Sequence, residues 1–389
     1  MIRSAGRYEA TSAVGEAVNA FVPAPLPPHD PPLVHDAAVS ELLWRAEAAV
    51  ARLDLAGAMV PSVSWFLYSF VRKEAVVSSQ IEGTQASLVD LLMYEAAGKA
   101  NAVDETDVRQ VRNYLDALSY ARRQIRSNSG LPLSVRLLNE AHRRLMKNVP
   151  GAHREPGAIR RSQNWIGGTR PGNAVYVPPP PHLLGKLLGS LERYIHAEDK
   201  LPPLIRAGLL HVQFETIHPY LDGNGRIGRL LITLLLEHWK LLAEPLLYLS
   251  LYFKRHREEY YRLLNAVRMD GDFESWLKFF LEGVAVIGDE AVAAAQALFA
   301  LVGEDRTKML ATRGTSVAGI RLLELLPAHP IVTVGSVVSL LNTTKPTATN
   351  AVSGLMEAGI LVEITGRRRD RSYSYQAYIN LLRAGTEPV

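Results

Sequence analysis

The chain has 389 residues, 48% hydrophobic and 21% charged, with a formal net charge of +4. That is the make-up of a folded globular protein with room for two or three domains, and it excludes a disordered chain. The charge is too small over this length to imply nucleic acid by itself, and the absence of cysteine excludes disulfides, a thiolate nucleophile and cysteine-ligated zinc.

The start, "MIRSAGRYEATSAVGEAV", lacks the apolar core of a secretory signal, and "GVAVIGDEAVAAAQALFALV" carries charges in its middle. The expectation is a cytoplasmic protein that does not enter a membrane. The first 35 residues include "FVPAPLPPHDPPL" and are expected to run extended along a surface without forming elements. From Val39 to about Ile125 apolar residues recur at helical spacing, and another helix follows in "SVRLLNEAHRRLMKNV", with Pro132 and Ser134 as start signals.

The texture then changes. "GAIRRSQNWIGGTRPGNAVYVPPPP" sets Gly, Pro and Asn around the run Ala174, Val175, Tyr176, Val177, which predicts a short hairpin in a helical region. Helical spacing returns in "HLLGKLLGSLERYIH", "PPLIRAGLLHVQFETIH", "IGRLLITLLLEHWKLL", "HREEYYRLLNAVRM" and the long "FESWLKFFLEGVAVIGDEAVAAAQALFALV". The last 75 residues differ again. Three short helices, in "GIRLLELLPA", "TVGSVVSLLN" and "TKPTATNAVSGLMEAG", precede a strand "ILVEIT", a basic tip "GRRRDR" and a second strand "SYSYQAY". That is the order of a winged helix-turn-helix.

The chemistry concentrates in "HPYLDGNGRIGR", residues 218–229. Residues 218–225 read as a loop between two helices, ending at a helix N-terminus whose unpaired N–H groups and dipole favour an anion. Gly223 and Gly225 allow close backbone approach, Asn224 tolerates unusual dihedrals or donates a hydrogen bond, and Arg226 and Arg229 can face one anion. The stretch is a phosphate cradle without the Gly-Lys-Ser/Thr ending of a P-loop. Asp222 beside a phosphate calls for a cation between them, which suggests Mg2+, and His218 can act as general base on an incoming hydroxyl. A glycine-rich helix–helix turn, or a His/Asp pair holding a structural metal, are the plainer readings.

The same residues resemble the signature of the Fic family, histidine-proline-phenylalanine-x-aspartate/glutamate-glycine-asparagine-glycine-arginine-x-x-arginine, with Tyr220 in place of the phenylalanine. The resemblance extends over the surrounding helices, the proline-rich start and the C-terminal module. It implies a mainly α fold: a Fic helical bundle with a small β-hairpin flap, followed by a winged helix-turn-helix. The expected division is an N-terminal helical region 1–125, a Fic core 126–285, a linker helix 286–313 and a winged helix 314–389. The implied activity is transfer of AMP from ATP to a Ser, Thr or Tyr hydroxyl of a target protein or of the chain itself.

By position, the resemblance makes His218 the base and Asp222 the Mg2+ ligand, with Asn224 and the amides of Gly223 and Gly225 forming the anion hole. Arg226 would contact phosphate near the scissile bond and Arg229 the γ-phosphate. Gln213, Ile227, Gly228 and Arg255 complete the implied ATP site, and the hairpin Ala174–Val177 is the implied flap that aligns a target by strand addition.

Upstream, "VVSSQIEGTQ" resembles the family's inhibitory motif, Ser/Thr-x-x-x-Glu-Gly/Asn, through Ser78, Glu82 and Gly83. Ser78 and Glu82 are expected on one helical face, from which the glutamate would take Arg229 from the γ-phosphate. Removal of AMP from a modified protein, and a DNA-binding regulator with a nucleotide-sensing Fic site, are the alternatives. In the C-terminal module Thr343–Met356 is the expected recognition helix, bearing Thr343, Thr344, Lys345, Thr347 and Asn350. Arg367, Arg368, Arg369 and Arg371 at the wing tip would hold DNA phosphates. Protein docking or dimerisation through this module is the competing reading.

Overall fold

The computed structural model describes residues 3–59, 63–97, 104–149, 155–312 and 316–388. In chain order, strands β1 (Gly6–Ala13) and β2 (Glu16–Pro23) precede helices α1 (Ala37–Met59), α2 (Val63–Ile81), α3 (Leu88–Ala97), α4 (Glu105–Arg126) and α5 (Val135–Leu145). Helices α6 (Pro181–His196), α7 (Pro203–Ile217), α8 (Asn224–His238), α9 (Ser250–Arg255), α10 (Arg257–Asp270) and α11 (Phe273–Ala311) follow. The C-terminal region holds α12 (Val317–Leu325), β3 (Ile331–Thr333), α13 (Val334–Leu341), α14 (Lys345–Glu357), β4 (Val362–Glu363), β5 (Ser372–Ser374) and α15 (Gln376–Leu382).

Two compact units divide these elements: residues 1–54 with 113–288, and residues 55–112 with 289–389. The expected boundary between linker and winged helix, at 313/314, lies outside the described residues.

In the first unit α7 is the axis: every residue from Leu204 to Ile217 is buried. The helix is therefore buried all round rather than on one face, as a central helix must be. Several polar groups tie it to its neighbours. Arg206 caps α6 by donating to the carbonyls of Tyr194 (2.7 Å) and Ala197 (3.0 Å), and Trp276 Nε1 donates to the Gly208 carbonyl (2.9 Å). His211 bridges the Gly228 carbonyl (3.0 Å) and the Tyr260 hydroxyl (2.8 Å), tying α7 to α8 and α10. Outside, Arg122 and Arg126 of α4 bracket Glu237 and Glu244. Helix α11 is long and apolar enough to span a bilayer by length and composition alone. In the first unit, however, it buries Trp276, Phe280, Leu281 and Val284 in the protein core.

The N-terminal region departs from expectation. Residues 6–23 form an antiparallel hairpin in full register, Gly6 opposite Pro23 through Ala13 opposite Glu16. Its two-residue turn, Val14 (φ 49°) and Gly15 (φ 81°), has both central residues at positive φ, the type I′ pattern that matches strand twist. The prolines begin only where β2 ends.

In the second unit α12, α13 and α14 accompany a three-stranded antiparallel sheet of order β3-β5-β4. Ser316 caps α12, Thr333 and Ser336 form a reciprocal capping box on α13, and Asn342 (φ 48°) closes it. The predicted second strand is too long. Tyr375 N–H turns away to the Pro330 carbonyl (2.8 Å), and Gln376–Leu382 is a helix burying Tyr378, Ile379 and Leu382. Tyr375 donates to Asp305 (2.7 Å) and Tyr378 pairs with Ser69 (3.1 Å), which fixes the end of the chain within this unit.

Candidate active site

The loop runs from the C-terminus of α7 to the N-terminus of α8, and the helix takes in Asn224 and Gly225, so it is two residues shorter than predicted. His218 caps α7 in the left-handed region (φ 48°, ψ 61°), its N–H donating to the Phe214 carbonyl (2.9 Å). Few non-glycine residues adopt this geometry, and it persists only where the surroundings impose it.

Arg160 does much of the imposing. It is 2% exposed, and its Nε donates to the His218 carbonyl (2.9 Å). Its Nη1 reaches the Ser162 carbonyl (3.1 Å) and its Nη2 the Pro179 carbonyl (2.6 Å), while its own N–H donates to Pro219 (2.9 Å). Asn224 clamps the next residue: its Oδ1 accepts from Tyr220 N–H and its Nδ2 donates to the Tyr220 carbonyl, both at 2.8 Å. The Asn224 side chain thus shapes the loop, and the backbone N–H groups of Asn224 and Gly225, which have no preceding-turn carbonyl to bond, are the donors left for an anion.

Tyr220 packs beneath the loop. Its ring stacks on His142 at 3.9 Å, and its hydroxyl donates to Asn139 Oδ1 (2.8 Å). His142 Nδ1 accepts from Gly157 N–H (2.8 Å), so the proton sits on Nε2 and is donated to the Asp222 carbonyl (2.9 Å). Burial pushes the His142 imidazole down to about 4, so it holds the loop as a neutral ring.

Gly223 is required by its backbone, and Gly228 packs closely on α7. Gly223 starts α8 at φ 77°, and a Cβ there would meet Met146 Sδ at 3.1 Å. A Cβ on Gly228 would stand 2.2 Å from Glu215 Oε1. Ile227 is fully buried, so it supports the cradle from the core side.

The cations and the carboxylate lie on the cradle. Arg226 and Arg229 are nearly buried on one side of α8. Arg226 Nη2 is 3.7 Å from Asp222 Oδ1, which also accepts from Gly223 N–H (2.6 Å). Asp222 keeps about a third of its side chain exposed, at 34%. Gln213 is turned elsewhere, its amide donating to the Ala24 carbonyl (2.8 Å), and Arg255 is exposed at the end of α9.

His218 itself is held neutral. Burial first, then the Arg268 and Arg160 cations, push its imidazole down to about 3, against the pull of the Glu215 carbonyl. Arg268 donates to that carbonyl (3.2 Å) and lies 3.9 Å over the Tyr176 ring, whose hydroxyl donates to the Thr216 carbonyl (2.6 Å). The predicted hairpin around Ala174–Val177 is thereby anchored beside His218. It is smaller than expected: a single antiparallel bridge pairs Ile166 with Tyr176, and Pro171–Asn173 forms a 3-10 turn. Ala174 follows the turn, Val175 is 71% exposed, and the Val177 carbonyl accepts from Phe21 N–H (2.9 Å).

His218, Trp165, Gly167 and Gly168 line a cleft of about 770 Å3, with Ser12–Val14 of the N-terminal hairpin as a further wall. Sequence reasoning missed Arg160, Gln163, Asn164 and the hairpin tip. Only the "RR" pair hinted at Arg160, and nothing in it says that Arg160 is buried while Arg161 is exposed.

In the second unit Ser78 is buried within α2, but the helix ends at Ile81. Glu82 is exposed in the following turn, and Gly83 lies at φ 101°, its N–H donating to Gln80 (3.0 Å). The glutamate is therefore presented by a helix end rather than by a helical face.

A neutral imidazole at one helix end, facing an amide-and-arginine cradle at the next, within a helical core, defines the Fic type of fold and site. The comparisons agree. Residues 40–123 match the Fic/DOC family N-terminal model and residues 132–236 the Fic/DOC family model. The chain is a Fic domain protein.

A protein adenylyltransferase Fic of Drosophila erecta is 31% identical over 154 residues, 39% of this chain and 28% of that protein. One from Culex quinquefasciatus is 28% identical over 207 residues, 52% of this chain and 38% of that protein. The chain thus spans well under half the length of these curated relatives. A crystal structure of a Fic family protein from Desulfovibrio desulfuricans superposes with a TM-score of 0.57 at 21% identity, covering 88% of this chain and 97% of that one. At that identity the likeness speaks for the fold.

Proposed function

We propose that the protein transfers AMP from ATP to a hydroxyl side chain of a protein, and that Glu82 restrains the reaction. The observation that carries the reading is the neutral, half-buried His218 set between the α8 cradle and an open cleft. In the reaction the target hydroxyl oxygen attacks the α-phosphorus, the bond from the α-phosphorus to the bridging oxygen breaks, and pyrophosphate leaves. His218 takes the hydroxyl proton. The amides of Asn224 and Gly225, with Arg226, receive the charge that develops on the α-phosphate, and Arg229 holds the γ-phosphate.

Among the described residues no cluster of three His, Asp or Glu groups forms a metal cage. The single partly exposed carboxylate of Asp222 fits a Mg2+ whose remaining ligands are phosphate oxygens and water. Bound there, the ion would neutralise charge on the leaving pyrophosphate.

Glu82 would act by taking Arg229 from the γ-phosphate, which leaves the nucleotide misplaced for in-line attack. The order of helices and strands in residues 317–382 supports a winged helix. The exposed Lys345, Thr347 and Asn350 on α14 and the exposed Arg367–Arg371 tip make DNA its proposed partner.

The test is incorporation from ATP labelled at the α-phosphate, into the protein itself and into lysate proteins. Glu82→Gly should raise incorporation well above wild type, and Glu82→Gly with His218→Ala should lose roughly 10²–10⁴-fold of that gain. Full activity without His218 would reject it as the base. If Glu82→Gly abolishes AMP removal from a modified protein without raising transfer, the glutamate serves hydrolysis.

A further inference from the structure

The tip of the N-terminal hairpin presents an oddity at the mouth of the cleft. Val14 is 80% exposed and stands at φ 49°. A β-branched residue is a poor occupant of the left-handed region, where asparagine or glycine would sit without strain, and an apolar side chain gains nothing from solvent. A strained, exposed, apolar residue beside a reactive group is a pointer to a contact made with something else.

The hairpin and the flap are joined. Glu16 Oε2, at the start of β2, accepts from Arg170 Nη1 (2.6 Å) and from Gly172 N–H (3.0 Å) at the flap's turn. Phe21 N–H donates to the Val177 carbonyl (2.9 Å), so β2 continues the flap's other side. Within the flap, Ile166 and Tyr176 exchange both their backbone bonds (2.8 and 3.1 Å). Their neighbour Trp165 therefore directs its N–H and C=O to the opposite edge, where an extended segment can pair, while Gly167 and Gly168 (φ 67° and 73°) turn out of the strand.

We propose that the β1–β2 tip is a second docking element of the target site. In it, Val14 meets an apolar residue of an extended target segment that lies between the tip and the backbone of Trp165, with its hydroxyl over His218. The inference rests on the adenylyl-transfer reading and adds to it which part of the chain selects the target and what chemistry the segment carries beside its hydroxyl. The occupant is an extended protein segment because the backbone of Trp165 offers one open pairing position at the cleft, which at about 770 Å3 takes only a few residues.

The test compares the full chain carrying Glu82→Gly with the same chain carrying Val14→Asn or Val14→Leu in addition, reading AMP incorporation from α-labelled ATP into the proteins of a cell lysate. ATP affinity and the thermal midpoint are measured alongside. Asn-Gly is a favoured type I′ turn, so Val14→Asn should melt at or above wild type and bind ATP equally well. Its incorporation into lysate proteins should fall roughly tenfold, the loss expected for one valine's worth of apolar contact. Val14→Leu, which keeps the apolar contact, should retain most of the activity. Unchanged incorporation by Val14→Asn overturns the proposal, as does a loss of incorporation that tracks a loss of ATP affinity. If neither the parent chain nor its Glu82→Gly variant incorporates AMP into anything, the transfer reading itself fails, and this inference falls with it.

Discussion

Replacing Arg160 by methionine should remove the brace on which the left-handed His218 depends. Three backbone carbonyls lose a charged donor: Pro179 at 2.6 Å, His218 at 2.9 Å and Ser162 at 3.1 Å. The Pro179 bond is buried and should be felt in full, about 2–3 kcal/mol for a charged donor. The other two are partly buried, so water can replace some of each, leaving about 1 kcal/mol apiece. Against that sum stands the relief of no longer burying a guanidinium, whose pKa burial lowers to about 10. The expected net loss is about 3 kcal/mol, read as a shift in the chemical denaturation midpoint. Transfer should fall at least 100-fold, roughly what misplacing a reacting group by an ångström costs. Arg160→Lys, able to reach one carbonyl, should lie between. A loss under about 1 kcal/mol would refute the reasoning, since three such carbonyls cannot be stranded so cheaply. Lost transfer with full stability would place Arg160 in the chemistry itself.

Two further outcomes follow from buried groups around the loop. Tyr220→Phe keeps the stack on His142 and loses only the hydroxyl bond to Asn139, so chemical denaturation should show a loss of about 1 kcal/mol with transfer unchanged. Acid should destabilise the fold through His142, His211 and His218, which burial pushes down to about 4, 3 and 3. The unfolded chain protonates them near 6.5, so it binds more protons below that pH. Their stabilisation is whole above about pH 6.5 and is lost as pH falls from there toward the folded values, with a denaturation slope approaching three protons. His142→Gln should reduce that slope by about one proton, and an unchanged slope would show that His142 charges freely in the fold.

The anion cradle was legible because its parts are adjacent in the chain. Gly223, Asn224, Gly225, Arg226 and Arg229 need only a helix to begin where it does in order to converge. Arg160 was not legible, because its partners come from residues 162, 179 and 218 and exist as a site only once the chain has closed around them. The N-terminal hairpin escaped for two reasons. The alternation in "YEATSA" and "EAVNAFVP" is diluted by alanine, and Val14-Gly15 is not the Asn-Gly pair that marks a type I′ turn. Its poor fit to the turn is what makes Val14 informative once the structure is seen. At the other end, "SYSYQAY" alternates as a strand should, yet the run after Tyr375 finds more burial as a helix, with Tyr378, Ile379 and Leu382 on one face.

The two units meet within helices rather than at loops, as α4 and α11 show. In α4 the buried residues Val108 and Val111 belong to one unit, and Tyr114, Ala117, Leu118 and Ala121 to the other. In α11 Trp276, Phe280, Val284 and Ile287 serve the first unit, and Ala291, Ala295 and Leu298 lie in the second. In each helix the apolar stripe keeps its three-and-four spacing straight through the change of unit, because the backbone periodicity that sets the stripe does not depend on which core receives it. Composition changes, glycine and proline mark boundaries only where the chain must turn or come free of a core. A helix that continues from one core into another needs neither: α4 passes between units at Arg112 and Asn113 without them, and in α11 the change falls at Gly288 and Asp289 with the helix unbroken.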